Sequence, residues 1–143
     1  MKKWILLLVA LLPLTAAAQR YTLDTVAAHL ATDRISLHYA CTIAQPAPVQ
    51  LSGELLIQGD CYRAVGNGME IYCNGTTRWT VDPESKEVYI ETAGGIEELV
   101  PWQDNLEDLS LTDVRYLPLS DDLSPFTFDT AALGPDWVVT DLR

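Results

Sequence analysis

Hydrophobic residues change period twice along the chain. Trp4 to Leu14 is apolar throughout except for Pro13. Leu23, Val26, Ala27 and Leu30 then fall at i, i+3, i+4 and i+7, which predicts a helix over Tyr21 to about Thr32 with one apolar stripe. Thr22 or Asp24 is placed to cap its start. From Ile35 the period is two. Ile35, Leu37, Tyr39, Cys41 and Ile43 alternate with Ser36, His38, Ala40 and Thr42, the spacing of a strand with one buried face. Gln45-Pro46-Ala47-Pro48 ends the run. A second strand is predicted over about Val49–Gln58, where Gly53 marks a bulge or bend. Shorter strands follow over about Cys61–Val65, Met69–Cys73, Thr76–Val81 and Glu87–Thr92. Gly59-Asp60, Gly66-Asn67-Gly68, Asn74-Gly75 and Asp82-Pro83-Glu84-Ser85 punctuate them. Turns this tight join antiparallel neighbours, so the expected class is mainly β, an antiparallel meander.

Beyond Gly94-Gly95 the pattern is weaker. Ile96 to Leu109 suits a short acidic helix limited by Pro101. Asp113–Leu119, Pro125–Phe128 and Trp137–Asp141 read as strands, and Thr130–Leu133 as one helical turn stopped by Gly134-Pro135.

The first apolar run has the form of a cleavable export signal. Lys2 and Lys3 precede it, and Ala16-Ala17-Ala18 follows it as a signal-peptidase site. It is shorter than the roughly 20 residues that span a bilayer. Residues 1–18 are therefore expected to be removed, leaving one domain over 19–143 that begins at Gln19 and acts outside the cytoplasm. Loss of the two lysines moves the net charge from −11 to −13. Residues 96–143 hold eleven carboxylates against Arg115 and Arg143 alone. Such a surface repels nucleic-acid phosphates and anionic headgroups.

Export also allows the three cysteines, Cys41, Cys61 and Cys73, to form one disulfide. A hairpin turn centred on Asn67 puts Cys61 opposite Cys73. A two-residue turn shifts the register by one and separates them. Pairings with Cys41, and three buried thiols, remain alternatives. His29 and His38 sit in no nucleophile motif, and the carboxylates show no acid–base pairing. A zinc site from His38, Cys41, Cys61 and Cys73 lacks a CxxC knuckle, and positions 38 and 41 of one strand point to opposite faces. Asn74-Gly75-Thr76 matches a glycosylation acceptor but reads here as a turn. These residues point to no enzyme, no metal and no cofactor.

The centre of the chain does carry a resemblance. It lies in Gly53-Glu54-Leu55-Leu56-Ile57, Tyr62-Arg63, Met69-Glu70-Ile71-Tyr72, and the run from Asn74-Gly75-Thr76-Thr77-Arg78-Trp79 to Glu87-Val88-Tyr89-Ile90. These resemble the LolA-like family of periplasmic outer-membrane lipoprotein carriers. Phe126-Thr127-Phe128-Asp129 and Trp137-Val138-Val139-Thr140-Asp141 are similar to that family's closing element. Gln58-Gly59-Asp60 stands where the family carries a basic residue followed by proline. The resemblance implies an incomplete, half-open β-barrel covered by an N-terminal helix and short helices. It implies a monomer that takes lipoprotein acyl chains, or a related lipid, into an apolar cavity and passes them between inner- and outer-membrane partners. With the strand alternation it nominates Leu37, Tyr39, Leu55, Ile57, Ile71, Trp79, Val81 and Ile90 as cavity lining. The alternative is a non-enzymatic periplasmic binding or accessory module on the same fold without lipid cargo, because a cavity wall and a core wall carry the same residues.

Overall fold

The computed structural model describes residues 22–44, 47–94 and 106–143. The expected export signal, Tyr21 and residues 95–105 lie outside these. Thr22 opens the described chain as an N-cap, its hydroxyl accepting from the Thr25 amide, and helix α1 follows over Leu23–Ala27. The helical segment is shorter than the sequence stripe suggests: turns occupy residues 28–32.

Eight strands then form one open sheet: β1 Arg34–Ile43, β2 Val49–Gln58, β3 Cys61–Gly66, β4 Met69–Asn74, β5 Thr77–Asp82, β6 Glu87–Thr92, β7 Leu106–Leu117 and β8 Val138–Asp141. Their order across the sheet is β7-β1-β2-β3-β4-β5-β6-β8. All neighbours are antiparallel except β6 and β8, which run parallel, so the closing strand does not continue the meander.

The β3–β4 turn is the two-residue form. Asn67 and Gly68 have φ of 53° and 74°, the geometry whose twist matches the flanking strands. The Asn67 side chain accepts from the Ser52 amide and donates to the Gln50 carbonyl, which ties this hairpin tip to β2. Tyr62 therefore faces Cys73, and Cys61 faces Asn74. The two cysteines point to opposite sides of the sheet, and all three cysteines are thiols. Gly53 is not a bulge, since β2 keeps register with both neighbours there. It lies directly opposite Gly66, and a Cβ at either position would collide with the facing backbone and, at Gly53, with the Tyr39 hydroxyl. The glycine pair allows a close backbone approach that Tyr39 covers.

Two further expectations change, while the helical turn expected near Thr130 is present. Residues 106–109 are strand rather than helix, and β7 reaches back from the predicted Asp113–Leu119 to Leu106. Pro125–Phe128 is not a strand: Ser124–Phe126 is a single 3₁₀ turn with proline in its first positions. Thr130–Ala132 is a second 3₁₀ turn, capped by the Asp129 carboxylate.

β7 and β8 are consecutive strands on opposite edges of the sheet. Seven inter-strand spacings separate them, about 34 Å if laid flat. Residues 118–137 span that width as a strap over one face, and α1 sits on the other. On the α1 side, Val26 packs with Ile35, Leu37 and Leu111, and Leu30 adds to the cluster. This cluster continues into Ile57, Tyr62 and Cys73. On the strap side, Trp79, Val81, Val88 and Ile90 pack with Tyr72, Phe128, Leu133 and Trp137. The sheet thus buries one face at its β7–β4 half and the other at its β5–β6 half.

Candidate functional site

Cross-strand partners in an antiparallel sheet project to the same face. The α1 face of strands β1–β4 can therefore be read from the register. It carries Ile35, Leu37, Tyr39, Cys41 and Ile43 from β1, then Val49, Leu51, Gly53, Leu55 and Ile57 from β2. β3 adds Tyr62, Ala64 and Gly66, and β4 adds Met69, Ile71 and Cys73. No charged side chain occurs among these positions. The α1 cluster buries the Ile35–Leu37 end. Leu51, Leu55, Ala64, Met69 and Ile71 stay only partly buried, and Val49 is exposed.

The opposite face of the same strands is mixed, with Leu56, Val65 and Tyr72 set among polar and charged residues. It carries Ser36, His38, Glu54, Gln58, Arg63 and Glu70. His38 Nε2 lies 3.4 Å from Glu54 and its Nδ1 lies 3.9 Å from Asp113. The carboxylates flank the ring from both sides and do not converge on one point. Among the described residues no group of His, Cys, Asp or Glu is arranged to hold a metal ion. His38 and Cys61 are on this face, Cys41 and Cys73 on the other.

The eight nominated lining residues do not form one surface. Leu37, Tyr39, Leu55, Ile57 and Ile71 lie on the α1 face. Trp79, Val81 and Ile90 lie on the strap face, because β4 pairs Tyr72 with Trp79 and Glu70 with Val81, and β6 pairs Ile90 with Trp79. Across from Ile71 stands Thr80, then Tyr89, so the apolar α1 face gives way to a polar strip at β5. The turn between β4 and β5 decides this. Asn74 Oδ1 accepts from the amides of Thr76 and Thr77 and from the Thr76 hydroxyl, and Gly75 has φ of 95°. That turn joins Cys73 to Arg78 as facing partners. One residue more or fewer would have turned Trp79 to the α1 face.

Trp79, Val81 and Ile90 are accordingly core under the strap, at 9%, 1% and 6% exposure. Leu37 and Ile57 are also buried, under and beside α1. Tyr39, Leu55 and Ile71 alone among the nominated residues are partly accessible. Burial pushes the Tyr39 hydroxyl and the Cys41 thiol above their ordinary pKa values, as an apolar surface does.

Arg34 is the residue that sequence pattern gave no reason to select. It is buried at the start of β1 on the strap face. Its Nε donates to Gln58 Oε1, and one terminal nitrogen donates to the carbonyls of Ser120 and Asp122. Its guanidinium carbon lies 5.0 Å from the Phe126 ring centre. Gln58 completes the clamp, donating to the Ser120 carbonyl and accepting from its amide. Gln58 thus shares the guanidinium of the neighbouring strand while it holds the strap at Ser120.

α1 is fastened to the sheet by a different pair. His29 stacks on Tyr116 at 3.7 Å and its Nδ1 lies 2.8 Å from Asp33. The histidine contact holds the Asp33 carboxyl below its ordinary value of 3.8. A carboxylate depressed in the folded state stabilises that state above its unfolded pKa and stops doing so as pH falls through the depressed value. Acidification below pH about 4 is therefore expected to loosen the His29–Asp33 turn. Amide protection factors at residues 29–33, corrected for the intrinsic rate at each pH, should fall there before those of β3 and β4. A uniform fall across all strands would show that this pair has no local role.

No family model and no curated protein matches this chain.

Proposed function

We propose that the protein is an exported, periplasmic carrier that binds the acyl chains of lipoproteins, or a related lipid, on the apolar α1 face of its open sheet. One observation carries this reading: the α1-face positions of β1–β4 are uncharged throughout, and the stretch around Leu55, Ala64, Ile71 and Met69 is only partly covered. Hydrocarbon laid on such a surface gains about 0.8 kcal/mol per buried CH₂ group, so affinity does not require a polar constellation. The open sheet serves as the incomplete barrel, α1 as part of its cover, and the export signal ends near Ala18. The protein acts by binding, as a monomer, without catalysis, cofactor or metal. Leu37, Tyr39, Leu55, Ile57 and Ile71 form the lipid-facing wall or its support. Trp79, Val81 and Ile90 belong to the core.

An environment-sensitive fatty-acid probe should bind the mature protein and be displaced by a lipopeptide. Replacing Leu55 with Glu should abolish probe binding, because the carboxylate must be desolvated or protonated beside the acyl chain. A folded Leu55→Glu protein with unchanged binding would remove this face from the mechanism. The filling of the β5–β6 half by Phe128, Leu133 and Trp137 favours the second reading, an accessory module without lipid cargo. Failure of the wild-type protein to bind any acyl probe would select it.

A further inference from the structure

The two edges of the sheet are built differently. β7 is irregular: its pairing with β1 shifts register twice, and Asp108 and Asp113 sit there in the left-handed region with φ of 53° and 50°. Glu107, Asp108 and Asp113 are exposed along it. Bulges and charges of this kind prevent a further strand from adding.

β8 carries no bulge, and its one charged residue, Asp141, is paired with Arg143. It pairs with β6 without a register shift. The amides of Val138 and Leu142 donate to Lys86 and Ile90, so by the two-residue period the backbone groups of Val139 and Asp141 point away from the sheet. Val138, Val139 and Leu142 are 58%, 42% and 59% exposed, and Tyr89 beside them is 38% exposed. The nearby cations are both engaged, Lys86 with Asp136 and Arg143 with Asp141.

We propose that β8 is a docking edge for an extended segment of a partner protein, one that alternates apolar and basic residues and adds to the sheet as a ninth strand. Charge selects the basic partner: the chain has 20 carboxylates against nine basic side chains. Charge also disfavours a second copy of this chain, and pairing of two four-residue strands buries far less than the ~1,200–2,000 Å² of a stable interface. An extended basic segment avoids the charge obstacle, and strand addition by a peptide draws its affinity from main-chain hydrogen bonds and not from a large interface. Its backbone meets Val139 and Asp141, and its apolar side chains lie beside Val138 and Leu142.

The test uses the full mature chain, isotopically labelled, and a blocked eight-residue peptide of alternating valine and lysine. Binding is expected to slow amide exchange at Val139 and Asp141 and to shift Tyr89, Val138 and Leu142, leaving β7 unchanged. A valine–glutamate peptide should not bind. Val139→Pro should weaken binding about tenfold or more by removing one outward donor, and it leaves the β6 ladder intact because that amide is not part of it. Leu142→Lys should weaken binding without altering the edge backbone. The proposal is overturned if the valine–lysine peptide causes no change, if the changes map to β7 or the α1 face, or if the glutamate peptide binds equally well. It is also overturned if both variants bind like wild type, or if Val139 and Asp141 become protected with rising protein concentration alone, which would identify a second copy as the occupant.

Discussion

Replacing Arg34 with methionine is expected to destabilise the fold by about 2–4 kcal/mol, read from urea unfolding. The methionine keeps most of the packing against Phe126 but supplies no donor. Asp122 then loses a part-buried hydrogen bond to its carbonyl, and Gln58 loses one of the two donors to its side-chain oxygen. Among the described residues no carboxylate forms a salt bridge with Arg34, and Asp122 meets it through its carbonyl and a longer-range attraction. The guanidinium charge is met by carbonyl dipoles and the Phe126 ring, so the geometry of the donors matters more than the charge. Arg34→Lys should therefore recover only part of the loss, because a lysine cannot direct separate donors at Gln58 and at two backbone carbonyls. The damage should be local in exchange experiments. Amides of residues 120–126 should open first, with those of β5 and β6 last. A methionine variant within 0.5 kcal/mol of wild type, a gap typical of ordinary surface changes, would show that the strap is held by Phe126 alone.

Much of the sheet was legible because its signals are local. β1 to β6 fall within a residue or two of the segments that alternation and turn residues mark. Each has a period of two, and Gly59, Asn67-Gly68 and Gly75 occupy the positive-φ positions their turns require. β7 was misread for a physical reason. Its two bulges each insert a residue, so Leu106, Leu109, Leu111, Val114 and Tyr116 fall at spacings of three and two, which breaks the period of two that marks a strand and hides its continuation back from Asp113 to Leu106. Phe126 and Phe128 alternate as a strand would, yet this segment lies on the sheet and does not extend it. Phe126 is fully buried, and Phe128 packs against Tyr72 with the rings tilted and their centres 5.3 Å apart. The candidate site suffered from a deeper ambiguity. Alternation says that Trp79, Val81 and Ile90 share a face, but not which face. That depends on the parity of the Asn74–Thr77 turn, which composition does not reveal. Arg34 had no signal at all: one arginine ahead of a strand looks like any solvated charge until the strap is seen to close over it.

The division of the lining residues between two faces makes Trp79 the decisive position. Truncating it to alanine is expected to cost about 3–5 kcal/mol, the range for a buried large aromatic. The indole belongs to the cluster of Val81, Val88 and Ile90, against which the strap residues Phe128, Leu133 and Trp137 pack. The strap is anchored at its start by Arg34 and at its end by β8 pairing with β6, so it cannot fully collapse into the space. Trp79→Phe should cost less, since most of the ring volume remains. Neither change should alter acyl binding in protein that remains folded, because the α1 face presents Thr80, not Trp79, across from Ile71. Leu55→Glu should show the reverse pattern, losing the probe with a smaller effect on unfolding, since Leu55 is only partly buried. Stability and binding are thus expected to separate by face. If folded Trp79→Ala lost the fatty-acid probe as completely as Leu55→Glu, the ligand would have to lie beneath the strap, and the α1 face would no longer be the carrier surface.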